Sequence, residues 1–149
     1  MIKSVLVGVD GSENSDRALD FALDFAEKFG ASLTILNVSE SIVMGAVPNE
    51  SMAYPSDGNA IIARDLRNIQ NEIISKCIDH ARQAKPNLNV SSIIRDGDAA
   101  SEIVDTSNNG NFDIVIVGHG GQHGMRERIL GSVSEKVAHS AACTAVIVR

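Results

Sequence analysis

Apolar residues occur along this chain in two alternating rhythms, short continuous runs and longer stretches with a period of three or four. Val5, Leu6, Val7 and Val9 form an almost unbroken run ended by Asp10-Gly11-Ser12, the pattern of a strand covered on both faces. Between residues 15 and 29 the period lengthens: Ala18, Ala22, Phe25 and Phe29 share one helical face, Asp16, Asp20 and Asp24 another, and Gly30 closes the helix. The acidic stripe reads as a solvated face, with Asp24 one turn before Lys28 in a weak pair. Leu33, Ile35, Leu36 and Val38 predict a second strand. Ile62, Leu66, Ile69, Ile73, Cys77 and Ala81 predict the longest helix, from Ala60 to about Lys85, stopped by Pro86. Leu88 to Ile94 reads as a third strand, Ala100 to about Ser107 as a short helix with Asp98 near its N-cap, and Phe112 to Val117 as a fourth, buried strand. Ser132-Val133-Ser134-Glu135 has the form of a capping box opening a helix to about Ser140, and Thr144 to Val148 is the last strand.

Strands and helices therefore alternate, which predicts a mostly parallel sheet with helices on both faces, joined by right-handed crossovers. In such open sheets ligands bind beyond the carboxyl ends of the strands, where the strand order reverses. The segment from Ser39 to Asn59 holds Gly45, Pro48, Pro55 and Gly58 and reads as a long loop. It is either a mobile connection or, with Met44, Met52 and Tyr54, a cover for a pocket.

Composition narrows the function. A chain of 149 residues, 44% hydrophobic and 21% charged, has room for one domain over residues 1–149 and no second. Trp is absent and Tyr occurs once, so the core is built of branched aliphatics and a base-stacking surface is not expected. A net charge of -6 excludes a protein that neutralises a run of nucleic-acid phosphates, while leaving a single nucleotide possible. Cys77 and Cys143 read as small core residues in a reducing compartment. The run from Val5 meets Asp10 too soon for a signal peptide or membrane span, so a cytoplasmic protein without membrane contact is expected.

The candidate chemistry lies in Gly118-His119-Gly120-Gly121-Gln122-His123-Gly124 and in Gly131-Ser132 at a helix start. Glycines admit positive φ and close approach of a ligand to the backbone, and a helix N-terminus adds unpaired N–H groups. The result is a phosphate cradle or a flexible loop before an ordinary helix, and the glycines alone do not decide between them. No Gly-Lys occurs, so there is no Walker loop, and His123 stands where a dinucleotide fingerprint needs its third glycine. His119 and His123 sit in a loop with no third ligand evident, and a calcium loop from Asp105 fails at Ile116. No Gly-x-Ser-x-Gly elbow, zinc-protease helix or Cys-x-x-Cys pair is present.

Gly118, two residues, Gly121, nine residues and then Gly131-Ser132 resembles the nucleotide-binding pattern of the ATP-binding branch of the universal stress protein family. Val7-Gly8-Val9-Asp10-Gly11-Ser12 and Thr144-Ala145-Val146-Ile147-Val148 are similar to that family's first and last strands. The resemblance covers essentially the whole chain and is loosest from Ser39 to Asn59. It implies an α/β fold, an open five-stranded parallel sheet in order 3-2-1-4-5, Rossmann-like and similar to the adenine nucleotide alpha hydrolases. Carried over, the adenine of ATP would lie against Val9, Asp10 and the backbone of Val38, with Gly118 near the ribose. Gly121, Gly131, Ser132, Val133 and Ser134 would hold the phosphates, together with Mg²⁺. Asp10 suits the nucleoside side, because next to the triphosphate its charge would repel unless Mg²⁺ intervened. Arg126 and Arg128 read as solvent residues. No catalytic residue and no protein metal site is expected.

The resemblance further implies a homodimer joined through the last strand, where Val146 and Val148 lie on an open edge. Nucleotide binding would then act as a switch in the stress response, altering association with an unidentified protein partner. Two other readings remain: an interaction protein from the branch that does not bind ATP, against which the intact glycines argue, and a slow ATPase or phosphotransferase. For the latter no base for water is evident, so turnover should fall below about 1 s⁻¹.

Overall fold

A strand with apolar residues on both faces is stable only between two layers, and the chain arranges its runs accordingly. The computed structural model describes residues 1–40, 56–120 and 130–149. Strands β1 (Ser4–Gly8), β2 (Ser32–Ser39), β3 (Val90–Asp96), β4 (Ile114–Gly118) and β5 (Thr144–Val148) form one parallel sheet in the order β3-β2-β1-β4-β5, as expected. Val5 and Val7 of β1 face the core under α1 (Glu13–Phe29) and α2 (Ser56–Ala84). Leu6 faces the core under α3 (Ala99–Asn109) and α4 (Ser132–Ser140). All three are wholly buried, and burying such a side chain contributes about 1.5–3 kcal/mol.

Helix α1 starts two residues before the expected residue 15, because Ser12 Oγ accepts the Ser15 N–H at 3.2 Å and caps it. Gly30 ends it at φ 65, a conformation that suits glycine, and the Ala31 N–H closes on the Ala26 carbonyl at 2.9 Å. Its buried face is Ala18, Leu19, Ala22, Leu23 and Ala26. Phe29 is largely exposed, contrary to the predicted face: alanines let the helix sit close to the sheet, and Phe21, Phe25 and Phe29 stack along its flank instead. Asp24 meets Lys85, one residue past the end of α2, at 2.9 Å and not Lys28, while Asp20 lies 2.6 Å from His80 Nε2. The acidic stripe thus ties α1 to α2 at the surface.

Helix α2 begins at Ser56, four residues before the expected start. At 1.5 Å per residue its 29 residues reach about 44 Å, much longer than any strand. Its second half buries Ile74, Cys77 and Ala81, whereas Ile62 and Ile69, expected in the apolar stripe, are about half exposed, and at the turn of Ile69 it is Gln70 that is buried against β3. The long loop expected over 39–59 is shortened by Ser39 in β2 and by the start of α2, and residues 41–55 lie outside the described part. Helix α4 departs from the expected capping box. Its N-cap is Gly131, not Ser132, with no side-chain cap, because Ser134 Oγ turns back to lie 2.9 Å from both the His119 and Gly131 carbonyls. Among the described residues no helix is long and apolar enough to cross a membrane.

Asp98 caps α3 as predicted, accepting Ser101 Oγ at 2.6 Å and Ser101 N at 2.9 Å, with Lys136 Nζ at 3.2 Å. The two bonds from Ser101, then Lys136, hold its carboxyl down to about 2. A folded-state value below the unfolded one contributes stability that is complete above the unfolded value and is lost as pH falls through the folded one. Asp98→Ala should therefore cost about 1 kcal/mol at neutral pH. Thermal unfolding curves of variant and parent should converge as pH falls from about 4 toward 2; a difference independent of pH would contradict this role.

Candidate functional site

The order of the strands places the site before any side chain is considered. From β1 and β2 the chain passes to helices on one face, and from β3 and β4 to helices on the other, so the crossovers part between β1 and β4 and leave a crevice at their carboxyl ends. A cavity of about 480 Å³ occupies it, within the range of small-molecule sites. Val9, Asp10, Val38, Gly118, Gly131, Ser132, Val133 and Ser134, all singled out from the sequence, line this one cavity. Gly121, with His123, Arg126 and Arg128, lies outside the described residues.

At the β1 end the turn is held by its own side chains. Asp10 Oδ1 accepts the Ser12 N–H at 2.9 Å, Ser15 Oγ accepts the Asp10 N–H at 3.3 Å, and Gly11 takes φ +80. Val9 N–H donates to the Leu36 carbonyl at 2.9 Å, and the Val9 carbonyl accepts Asn37 Nδ2 at 2.8 Å. This end is rich in acceptors: Asp10 and Glu40 carry the carboxylates on the cavity wall, and no Lys or Arg among the described residues lines it.

The β4 end is built from backbone. The Gly131 N–H donates to the His119 carbonyl at 2.9 Å and brings the start of α4 against the end of β4. The first intrahelical bond of α4 runs from Glu135 N–H to the Gly131 carbonyl at 2.9 Å, so the amides of Ser132, Val133 and Ser134 have no helical acceptor. They carry the partial positive charge of the helix N-terminus to the cavity wall. Ser134 is almost fully buried with its hydroxyl engaged by the two carbonyls, which leaves its N–H as the group available here.

The glycines act differently from the sequence expectation. Gly118, Gly120 and Gly131 do not have positive φ; what they need is room. A Cβ on Gly118 would lie 2.7 Å from the Asn14 carbonyl oxygen in the first turn of α1. One on Gly131 would lie 3.3 Å from both Gly120 Cα and the His119 carbonyl oxygen. Sequence reasoning also passed over Asn37 and Gln70, both on the cavity wall and both buried. Their signal was a polar residue inside an apolar run: Asn37 between Leu36 and Val38, and Gln70 beside Ile69 and Ile73. No thiol offers a nucleophile in the described cavity wall. Cys77 is in the core, where burial and then Asp16 push it up to about 11, and burial likewise raises Cys143.

A profile described as the universal stress protein family matches residues 1–149. The chain belongs to the universal stress protein family. Among its relatives, universal stress protein YxiE from Bacillus subtilis is 30% identical over 151 residues, with all of both chains covered. A universal stress protein from Methanothermobacter thermautotrophicus is 31% identical over 151 residues, covering all of this chain and 97% of the other. Among solved structures, a universal stress protein in complex with cAMP superposes with a TM-score of 0.70 at 26% identity, covering 99% of this chain and 97% of that one.

The Gly118 contact makes a stability prediction. Gly118→Ala places a methyl against a backbone carbonyl that cannot rotate away, with an expected cost of about 3 kcal/mol. Gly30→Ala has open space around its Cβ and should cost about 1 kcal/mol, from backbone conformation alone. Urea unfolding of both variants measures the difference, and equal losses would rule out the steric account.

Proposed function

We propose that this protein binds ATP in the cytoplasm and works as a nucleotide-dependent switch, with little chemistry of its own. The observation that carries this reading is the opposed polarity of the cavity, acceptors beside β1 and β2 and backbone donors at the start of α4. An adenine nucleotide has the complementary polarity, an amino-bearing base at one end and an anionic tail at the other. In this pose the base lies against Val9, Asp10 and the backbone of Val38, and Gly118 is near the ribose. The phosphates meet Gly121, Gly131 and the amides of Ser132, Val133 and Ser134. The universal stress protein solved in complex with cAMP supports a site of this class in a relative.

The reverse pose is disfavoured because Asp10 and Glu40 would face the phosphates. Among the described residues, the wall at the phosphate end, Gly118, Gly120 and Gly131–Ser134, carries no carboxylate. Mg²⁺ would therefore be held mainly by phosphate oxygens and water, which suits its preference for retaining waters. It would supply charge neutralisation that the described residues do not. Backbone amides select for phosphate without positioning a nucleophile, so binding is favoured over cleavage.

Calorimetric titration of nucleotide-stripped protein with AMP, ADP and ATP tests this reading directly. Saturable binding to the parent is expected, and Gly131→Val should weaken it at least tenfold, since a charge-assisted hydrogen bond contributes about 1.5–3 kcal/mol. The far-UV spectrum should remain that of the parent. No binding of any of the three, or undiminished affinity in a folded variant, would sink the assignment.

The switch requires an output. Among the described residues β5 pairs only with β4, and Ala145, Val146, Ile147 and Val148 are half-buried where Val5, Leu6 and Val7 of β1 are wholly buried. A second copy pairing along this edge would cover them and satisfy its backbone groups. We assign the homodimer to β5 and the partner-binding response to a change of state on nucleotide binding. Light scattering across a range of concentrations should give the mass of a dimer; monomer alone would refute it.

A further inference from the structure

Two buried side-chain amides on the cavity wall have matched donors and unmatched acceptors. Asn37 is 3% exposed, and its Nδ2 donates to the Val9 carbonyl at 2.8 Å. That bond fixes which end of the amide is the acceptor, and this acceptor, Oδ1, is buried with no partner. Gln70, on α2, is 4% exposed, and its Nε2 donates to the Arg95 carbonyl at 3.3 Å. None of the described residues donates to its Oε1.

The sheet register brings the two together. In the β2–β3 ladder Asn37 stands opposite Ile94 and Val38 opposite Arg95, so the carbonyl that holds Gln70 is one residue along from Asn37's own partner. Side chains alternate along a strand, and Leu33 and Ile35, in step with Asn37, point into the core shared with α1 and α2. Asn37 therefore rises from the sheet toward the helix from which Gln70 descends, at the acceptor-rich end of the cavity. Buried polar groups are nearly always paired, and an unpaired one is costly. The buried Asn37 Oδ1 is such a group, and with Gln70 on the same wall it marks a place where the donor comes from outside the chain.

We propose that Asn37 and Gln70 read the base, selecting a purine that carries an exocyclic amine and rejecting one that carries a carbonyl there. The inference rests on the nucleotide reading above and adds its specificity. An adenine amino group supplies the missing protons. Hypoxanthine at the same place sets a carbonyl oxygen against two oxygens already fixed by their amides, so attraction to one base doubles as repulsion of the other. Both residues lie away from the start of α4, so their effect falls on base identity and is the same for one, two or three phosphates.

The test uses the full chain stripped of nucleotide and titrated with AMP and IMP, which share ribose and phosphate. The parent should bind AMP at least tenfold more tightly than IMP, the scale of leaving buried acceptors unmatched. Gln70→Met keeps length and removes the polar atoms. It should lower AMP affinity about tenfold, raise IMP affinity and keep the melting temperature of the ligand-free protein. Asn37→Leu should collapse the same preference, and it serves as a second reading if Gln70→Met folds poorly. If the parent binds AMP but shows no preference over IMP, or if both variants keep the parent's preference, the acceptors are satisfied by water and this inference fails while nucleotide binding stands. If the parent binds none of the nucleotides, the failure belongs to the functional reading itself, and the base-reading role falls with it.

Discussion

Everything in this molecule is arranged around the burial of β1. Val5, Leu6 and Val7 have no exposed surface, which requires neighbouring strands on both edges and helices on both faces. A strand so enclosed cannot be followed by a hairpin, because its neighbours β2 and β4 are parallel to it, and parallel pairing demands a crossover. The crossovers leave by opposite faces, and the crevice between β1 and β4 is the space they vacate. The site is thus a consequence of how the central strand is buried.

Close backbone contacts then shape that space. Gly118 lies under the first turn of α1, and Gly131 lies against Gly120 and the His119 carbonyl, so β4, α1 and α4 converge with almost no side-chain volume between them. What reaches the cavity at this end is main chain, with unpaired amides. At the other end β1, β2 and α2 contribute side chains, apolar ones with the acceptors of Asp10, Asn37, Glu40 and Gln70 among them. A cavity with one donor end and one acceptor end has a direction. That direction would let a small domain with net charge -6 hold a polyanion, as proposed above, without a cluster of basic residues among its described walls. Membership of the universal stress protein family is consistent with this backbone-led arrangement.

The regular elements were legible because each follows from local physics. Apolar runs without alternation meant strands covered on both faces, Asp98 and Gly30 acted as the expected cap and stop, and strand–helix alternation meant parallel order. The errors were equally physical. Periodicity put Phe29, Ile62 and Ile69 on apolar stripes, but all three are about half exposed: Phe29 stacks along the flank of α1, and Ile69 stands on the cavity wall while Gln70 beside it is buried against β3. The capping box at Ser132 was correct in composition, yet Ser134 bonds back to the His119 and Gly131 carbonyls, and the cap moved to Gly131. Asp24 had a local partner in Lys28, and Lys85, just past the end of α2, took its place.

What the sequence determined by itself was the alternation of elements, the polarity of their faces and the residue types available at each strand end, since these depend on neighbours a few positions apart. The glycine spacing placed the candidate site at the end of β4, and Val9 and Asp10 placed its other side at the end of β1. Only the tertiary structure decided that Gly118 is glycine because α1 crosses it, that Ser134 offers an amide and not a hydroxyl, and that Asn37 and Gln70 share one wall. Those facts depend on pairs of residues far apart in the chain. Their separation in space is set by strand order and helix length, and no local pattern encodes it.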